Sequence, residues 1–99
     1  MGKIISVFKI VPTEPNLENI RNNVTNIINK EAKTHSIEVV DADEKIFYKM
    51  FGQDIWGLEV WCKVPDDEEG SQNLENFEEA LADLDEIQSC EKIGETLGK

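Results

Sequence analysis

Along residues 57–64 the apolar and polar positions alternate. Leu58, Val60, Cys62 and Val64 fall on one side of an extended chain, with Glu59, Trp61 and Lys63 on the other. Pro65-Asp66-Asp67-Glu68-Glu69-Gly70-Ser71 ends that strand and supplies a helix start, with Ser71 as the expected N-cap. Leu74, Phe77, Leu81 and Leu84 then recur at helical spacing, which predicts a helix from about Ser71 to Asp85. The first half repeats the order. Residues 3–11 divide into Ile4, Ser6, Phe8, Ile10 and Ile5, Val7, Lys9, Val11. A strand with apolar residues on both sides belongs at the centre of a sheet rather than at its edge. Pro12 and Pro15 bracket a turn, and Thr13 or Asn16 caps the helix that follows. Leu17, Ile20, Val24, Ile27 and Ile28 form its apolar stripe over about 16–30, while Glu18, Asn22, Asn23 and Asn26 face water. Asparagine is a poor helix former, so this helix depends on its packing.

The remaining segments complete the pattern. His35 to Val40 reads as a strand, and Lys45 to Phe51 as its continuation or its hairpin partner, with Asp41-Ala42-Asp43-Glu44 as a turn-like acidic run between them. Phe51-Gly52-Gln53-Asp54 breaks the pattern before the strand at 57–64. Ile87 to Ile93 predicts a short last strand, and Gly94 to Lys99 a tail. The order is βαββαβ. It implies an α+β, ferredoxin-like sandwich: a four-stranded antiparallel sheet with two helices on one face, the other face open, and extra extended residues around 39–50 lengthening the region between the second and third strands. The expected core is Phe8, Ile20, Val24, Ile27, Val60, Cys62, Phe77, Leu81 and Leu84. In the strand order 4-1-3-2 of this plan, Cys62 and Cys90 lie on non-neighbouring strands, so a disulfide between them is not expected.

Composition narrows the function classes. The 99 residues make one domain. Twenty-one acidic against ten basic side chains give a net charge of −11, which repels phosphate backbones and favours encounter with basic protein surfaces; direct nucleic-acid binding is not expected. No apolar run reaches the roughly 18 residues of a membrane span, and the start has no signal-peptide core, so a cytoplasmic protein without membrane contact is expected. Two cysteines and one histidine, His35, are too few for a zinc site. No glycine-rich phosphate loop and no nucleophile-base pairing is visible. Asp66-Asp67-Glu68-Glu69 lacks the alternating oxygen ligands of a calcium loop and reads as solvated charge at a helix N-terminus. Neither a metal nor any other cofactor is expected.

Several pieces of the chain, in order, resemble archaeal elongation factor 1-beta. These are Met1-Gly2-Lys3-Ile4 leading to Val11-Pro12, His35-Ser36-Ile37-Glu38, Phe51-Gly52, the strand ending Val64-Pro65-Asp66, Glu69-Gly70-Ser71 with Leu74-Glu75, and the closing Glu91 to Gly98. The resemblance spans nearly the whole chain. It implies that residues 1–99 form a guanine-nucleotide exchange domain for the elongation factor 1-alpha type GTPase, which delivers aminoacyl-tRNA to the ribosome. It implies a monomer when free, and no active site, because exchange is achieved by binding alone. By position it implies partner contacts at Phe51, Gly52 and Gln53. At the C-terminus it implies them at Thr96 and Lys99, with Lys92 behind Lys99, where relatives place a lysine that disturbs the GTPase magnesium site. The chain departs from the family's pattern in two ways: the stretches from His35 to Phe51 and from Phe51 to Pro65 are longer, and no arginine accompanies Thr96-Leu97-Gly98.

The alternative is a non-catalytic ferredoxin-like protein-interaction or ligand-sensing module using the open sheet face, where Trp61 is placed, or an edge strand. A small anion-cradling hydrolase is disfavoured, since Arg21 is the only arginine.

Overall fold

The computed structural model describes residues 2–98. Strand β1 (Lys3–Pro12) leads into a continuous first helix over 17–34, and β2 (Glu38–Met50) then pairs with β3 (Gln53–Pro65). A second helix (Glu68–Ala82) and β4 (Ile87–Gly98) follow. The strands form one sheet in the order β2-β3-β1-β4, and every neighbouring pair is antiparallel. This is the expected ferredoxin-like sandwich, with β1 central as its two apolar sides require.

The first helix begins where Asn16 accepts a hydrogen bond from the Asn19 backbone N–H at 2.7 Å, so Asn16 is its cap. It is α-helical over Leu17–Asn19, widens to π-helical over Ile20–Val24, returns to α over Thr25–Thr34, and so runs four residues past the expected end. Ile20, Val24, Ile28 and Ala32 are its buried residues. The second helix starts earlier than expected. Its cap is Asp67, not Ser71: the Asp67 carboxylate accepts from the Gly70 N–H at 2.7 Å, and Glu68 and Glu69 complement the helix dipole in the first turn. The ring of Phe77 meets that of Phe8 edge to face, with centroids 5.8 Å apart.

Seven of the nine expected core residues are buried; Ile27 and Leu84 are half-buried against the core's margin. Cys62 is buried and Cys90 half-buried, both are free, and β1 separates their strands. Burial pushes each thiol up to about 12, and for Cys90 the nearby Glu78 and Cys62 add to the effect. Ser6, the polar member of the helix-facing side of β1, is fully buried, and its hydroxyl has no hydrogen-bond partner.

Three segments depart from expectation. The acidic run at 41–44 is not a turn but the middle of β2, pairing Asp41 with Trp61, Ala42 with Val60, Asp43 with Glu59 and Glu44 with Leu58. β2 is an edge strand, so the carboxylates remain solvated while the backbone bonds to β3; pairing overrides the turn propensity of aspartate. His35 and Ser36 belong to the end of the first helix rather than to a strand, with His35 as its C-cap and Ser36 in the left-handed region at φ 58°. β4 continues through Gly98, so the expected tail is strand: Thr96, Leu97 and Gly98 pair with Ile5, Ile4 and Lys3.

Candidate functional site: a projecting hairpin

The fold measures 47 × 22 × 18 Å, and the long axis owes its length to the β2–β3 hairpin. β1 pairs with β3 only as far as Ile10 opposite Leu58. Beyond that point residues 46–55 run on as a two-stranded ribbon with no third strand beside it. At its tip Phe51 and Gly52 form a two-residue turn closed by the Met50–Gln53 pair, with φ 52° and 80°. Positive φ at both central residues is the type I′ pattern, whose twist matches that of the flanking strands. Glycine takes that conformation freely, whereas for phenylalanine it costs on the order of 1–2 kcal/mol. Phe51 is also 98% exposed. An apolar ring in water on a strained backbone contributes nothing to this chain's own stability.

The ribbon has two chemically distinct faces, set by a β-bulge. From Ala42 to Ile46, even-numbered β2 residues face the helices: Glu44 there accepts from the Arg21 guanidinium of the first helix at 3.0 Å, and Ile46 pairs with Trp56. Phe47 is left unpaired by the bulge, after which Tyr48 pairs with Ile55. That single extra residue turns Tyr48 and Met50 onto the open face beside Phe47. Phe47 lies over Gly57, where a Cβ would come within 2.5 Å of the ring, and the Lys9 ammonium sits 4.9 Å from the Phe47 centroid and 5.9 Å from that of Tyr48. Tyr48 and Met50 are 38% and 49% exposed.

The ribbon's charged groups are paired within the molecule. Glu44 is held by Arg21, the Lys45 ammonium lies 3.0 Å from Glu59, and the Lys49 ammonium 3.6 Å from Asp54. The acidity lies elsewhere: Asp66 to Glu86, the stretch built around the second helix, holds ten acidic side chains and no lysine or arginine.

The expected partner-binding residues do not form one site. Phe51, Gly52 and Gln53 are together at the hairpin tip. Thr96 is exposed in β4, opposite Ile5, which in turn pairs with Lys63. Gln53 and Lys63 are ten residues apart along β3, so Thr96 lies roughly 33 Å from the tip at about 3.3 Å per residue. Lys99 lies outside the described residues. Lys92 is tied to Glu95 at 3.0 Å. Of the two tryptophans, Trp56 packs partly against the core and donates its backbone N–H to the Pro15 carbonyl at 3.2 Å; Trp61 is half-buried on the open face, 6.0 Å from the Lys45 ammonium.

Sequence reasoning missed Phe47, Tyr48, Met50 and Ile55 as a common surface. The apolar content of 46–51 marks the segment, but the register shift that aligns these side chains is made by the partner strand. At the same end of the fold, an open cleft of about 700 Å³ lies between the first helix and the loop before β4, lined by Thr13, Asn19, Asn23, Ile27, Asp85 and Glu86 among others. Among the described residues no group of three or more histidine, cysteine, aspartate or glutamate side chains is placed to hold a metal ion, and no helix is long and apolar enough to cross a membrane.

No protein-family model and no curated protein sequence matches the chain. Among solved structures it is similar to the crystal structure of 30S ribosomal protein S6 from Thermotoga maritima, with a TM-score of 0.54 and 16% sequence identity over 94% of this chain and 87% of that one. At that identity the likeness establishes the ferredoxin-like fold and says nothing of function.

Proposed function

We propose that this chain is a guanine-nucleotide exchange factor for the GTPase that delivers aminoacyl-tRNA to the ribosome, and that Phe51 anchors the complex. The observation that carries the reading is Phe51 itself, an aromatic side chain 98% exposed at positive φ on the tip of a projecting ribbon. Strain and exposed apolar area at one residue are retained where binding uses them. The sequence resemblance to archaeal elongation factor 1-beta supplies the partner, and with it a cytoplasmic location.

Exchange by this route makes and breaks no covalent bond. A protein that binds the nucleotide-free GTPase more tightly than the nucleotide-bound form weakens nucleotide affinity by the same factor, because the two bindings are linked. Entry of the Phe51 ring into an apolar pocket of the GTPase supplies part of that binding energy, and the I′ turn holds the ring in place beforehand, which lowers the ordering cost of docking. Thr96, at the far end of the sheet, touches the same partner only if the GTPase spans roughly 33 Å of this chain, a reach that residue spacing along β3 sets. The free chain acts as a monomer.

The test is release of fluorescent GDP from the cognate GTPase. Catalytic amounts of the wild-type chain accelerate release, and Phe51→Asn reduces the acceleration by about tenfold or more, the loss expected of an interface anchor. Release at the intrinsic rate in the presence of saturating, folded wild-type chain refutes the proposal.

A further inference from the structure

The ribbon leaves the sheet at a place where packing does little to fix its angle. The last row supported by a third strand is Glu44, Leu58 and Ile10. Just beyond it come two features that let paired strands bend: the bulge at Phe47, and Gly57 on the facing strand. On the helix side an open cleft of about 410 Å³ separates Gln53 to Trp56 from Pro15 to Leu17, bridged at the root by the bond from the Trp56 N–H to the Pro15 carbonyl. We propose that Arg21 and Lys9 are positioning residues that clamp the root of the ribbon from its two faces and so aim Phe51, a role that rests on docking through Phe51 as proposed above.

Both cations come from elements anchored in the core, and both reach β2. Arg21, the only arginine in the chain, stands in the π-helical stretch of the first helix, a local geometry frequent at functional sites. Its guanidinium grips Glu44 as a fork: Nε donates to Oε1 at 3.0 Å and to Oε2 at 3.2 Å, and Nη2 donates to Oε2 at 3.1 Å. A planar fork fixes direction as well as distance, which a lysine ammonium does not. On the open face, Lys9 of the central strand extends its ammonium to the rings of Phe47, at 4.9 Å, and Tyr48, at 5.9 Å. Glu59, opposite Lys9 on β3, is engaged by Lys45, and among the described residues Lys9 makes no ion pair. One clamp thus meets β2 at the last supported row, and the other at the bulge just past it. The Arg21 side chain is 61% exposed and that of Glu44 29%, so solvent screens the pair and it adds little to global stability. Its leverage is geometric. Phe51 lies roughly 20 Å along β2 from Glu44, so a small change of angle at the root displaces the ring by ångströms.

The experiment compares Arg21→Gln, Arg21→Lys, Lys9→Met and the charge swap Arg21→Glu with Glu44→Arg against the wild-type chain. Residual dipolar couplings of the backbone amides report whether residues 46–55 and the rest of the sheet share one alignment. In the wild-type chain they do. In Arg21→Gln and Lys9→Met residues 46–55 lose it while the rest of the sheet keeps it, and the melting temperature stays within about 4 °C. In GDP release from the cognate GTPase, these two variants need about threefold to tenfold more chain for half-maximal acceleration at an unchanged limiting rate, because a ribbon no longer preset must be ordered on docking. Arg21→Lys keeps the charge without the fork and falls between; the swap rebuilds the fork and restores both readouts, which a loss of packing at Arg21 would not allow. Couplings of 46–55 that still fit the sheet in both single variants overturn the clamp and leave the exchange reading standing. Lost alignment with unchanged GDP release overturns the positioning role. A wild-type chain that fails to accelerate release overturns the exchange reading and the aiming of Phe51 with it, and the couplings then decide separately whether the root is clamped.

Discussion

Replacing Phe51 by asparagine makes the hairpin turn Asn-Gly, the pair that type I′ geometry favours most. Two terms set the expected change in stability. The ring is 98% exposed, so its removal gives up almost no buried area and almost no packing. The backbone at φ 52° costs a β-carbon-bearing residue about 1–2 kcal/mol, and asparagine, whose short polar side chain bonds locally to the backbone, recovers a good part of it. The net expectation is a gain of about 1 kcal/mol, or about 4–8 °C in midpoint for a domain near 100 residues. Urea and thermal unfolding followed by circular dichroism measure it, and the same protein is assayed for GDP release. The expected outcome is opposite in sign for the two readouts: higher stability and lost exchange. A variant destabilised by 1 kcal/mol or more would show that the ring packs on something in solution, and the reading of Phe51 as an exposed anchor would fall. Gly52→Ala supplies the converse. Nothing lies within 4 Å of a β-carbon there, so the cost is purely that of φ 80°, about 1–2 kcal/mol of lost stability.

Other outcomes follow from the core and the thiols. Leu81→Ala opens a cavity beneath the second helix, where the side chain is fully buried, and should cost on the order of 2–5 kcal/mol; an unmoved denaturant midpoint would refute the helical face. Ser6→Ala removes a buried hydroxyl without a partner and should stabilise the chain by about 1–3 kcal/mol, read from the same midpoint, whereas a loss would mean the hydroxyl is bonded in solution. Cys62 and Cys90 titrate near 12 in the folded chain against 9.0 for an ordinary thiol. The folded state therefore holds these protons more tightly: their contribution to stability is full below pH 9 and is lost as pH rises toward 12. Cys62 should accordingly resist alkylation at pH 8 in the native protein and react once the chain is unfolded in urea; rapid native labelling of Cys62 would contradict its burial. Deleting residues 96–98 removes the pairing of β4 with Ile5, Ile4 and Lys3, so it should lower the melting temperature as well as any exchange rate; an unchanged melting temperature would show that this end of β4 is not held in solution.

Periodicity alone determined the element order, the central position of β1, the buried sides of β1 and β3, and most of the core. Leu58, Val60, Cys62 and Val64 are buried because a strand's side chains alternate, and Leu74, Phe77 and Leu81 because a helix returns to one face every three to four residues. These are local rules, and local sequence obeys them. The strand-helix boundaries were less legible: Asp67 takes the cap that Ser71 could equally have taken, since which side chain meets the free N–H groups depends on how Pro65 leaves the sheet. What only tertiary structure decided is non-local. Asp41 to Glu44 carries turn residues, and it is strand because thirteen residues of β3 offer an unbroken row of hydrogen-bonding partners. The bulge at Phe47 has no signature in its own strand. It arises where Phe47 lies over Gly57, a residue ten positions away, and it alone places Tyr48 and Met50 on the face with Phe47. The separation of Thr96 from Phe51 has the same origin. The resemblance implies partner contacts at both, and the antiparallel register sends them to opposite ends of the sheet. Side-chain alternation is written in each strand, but register belongs to the pair.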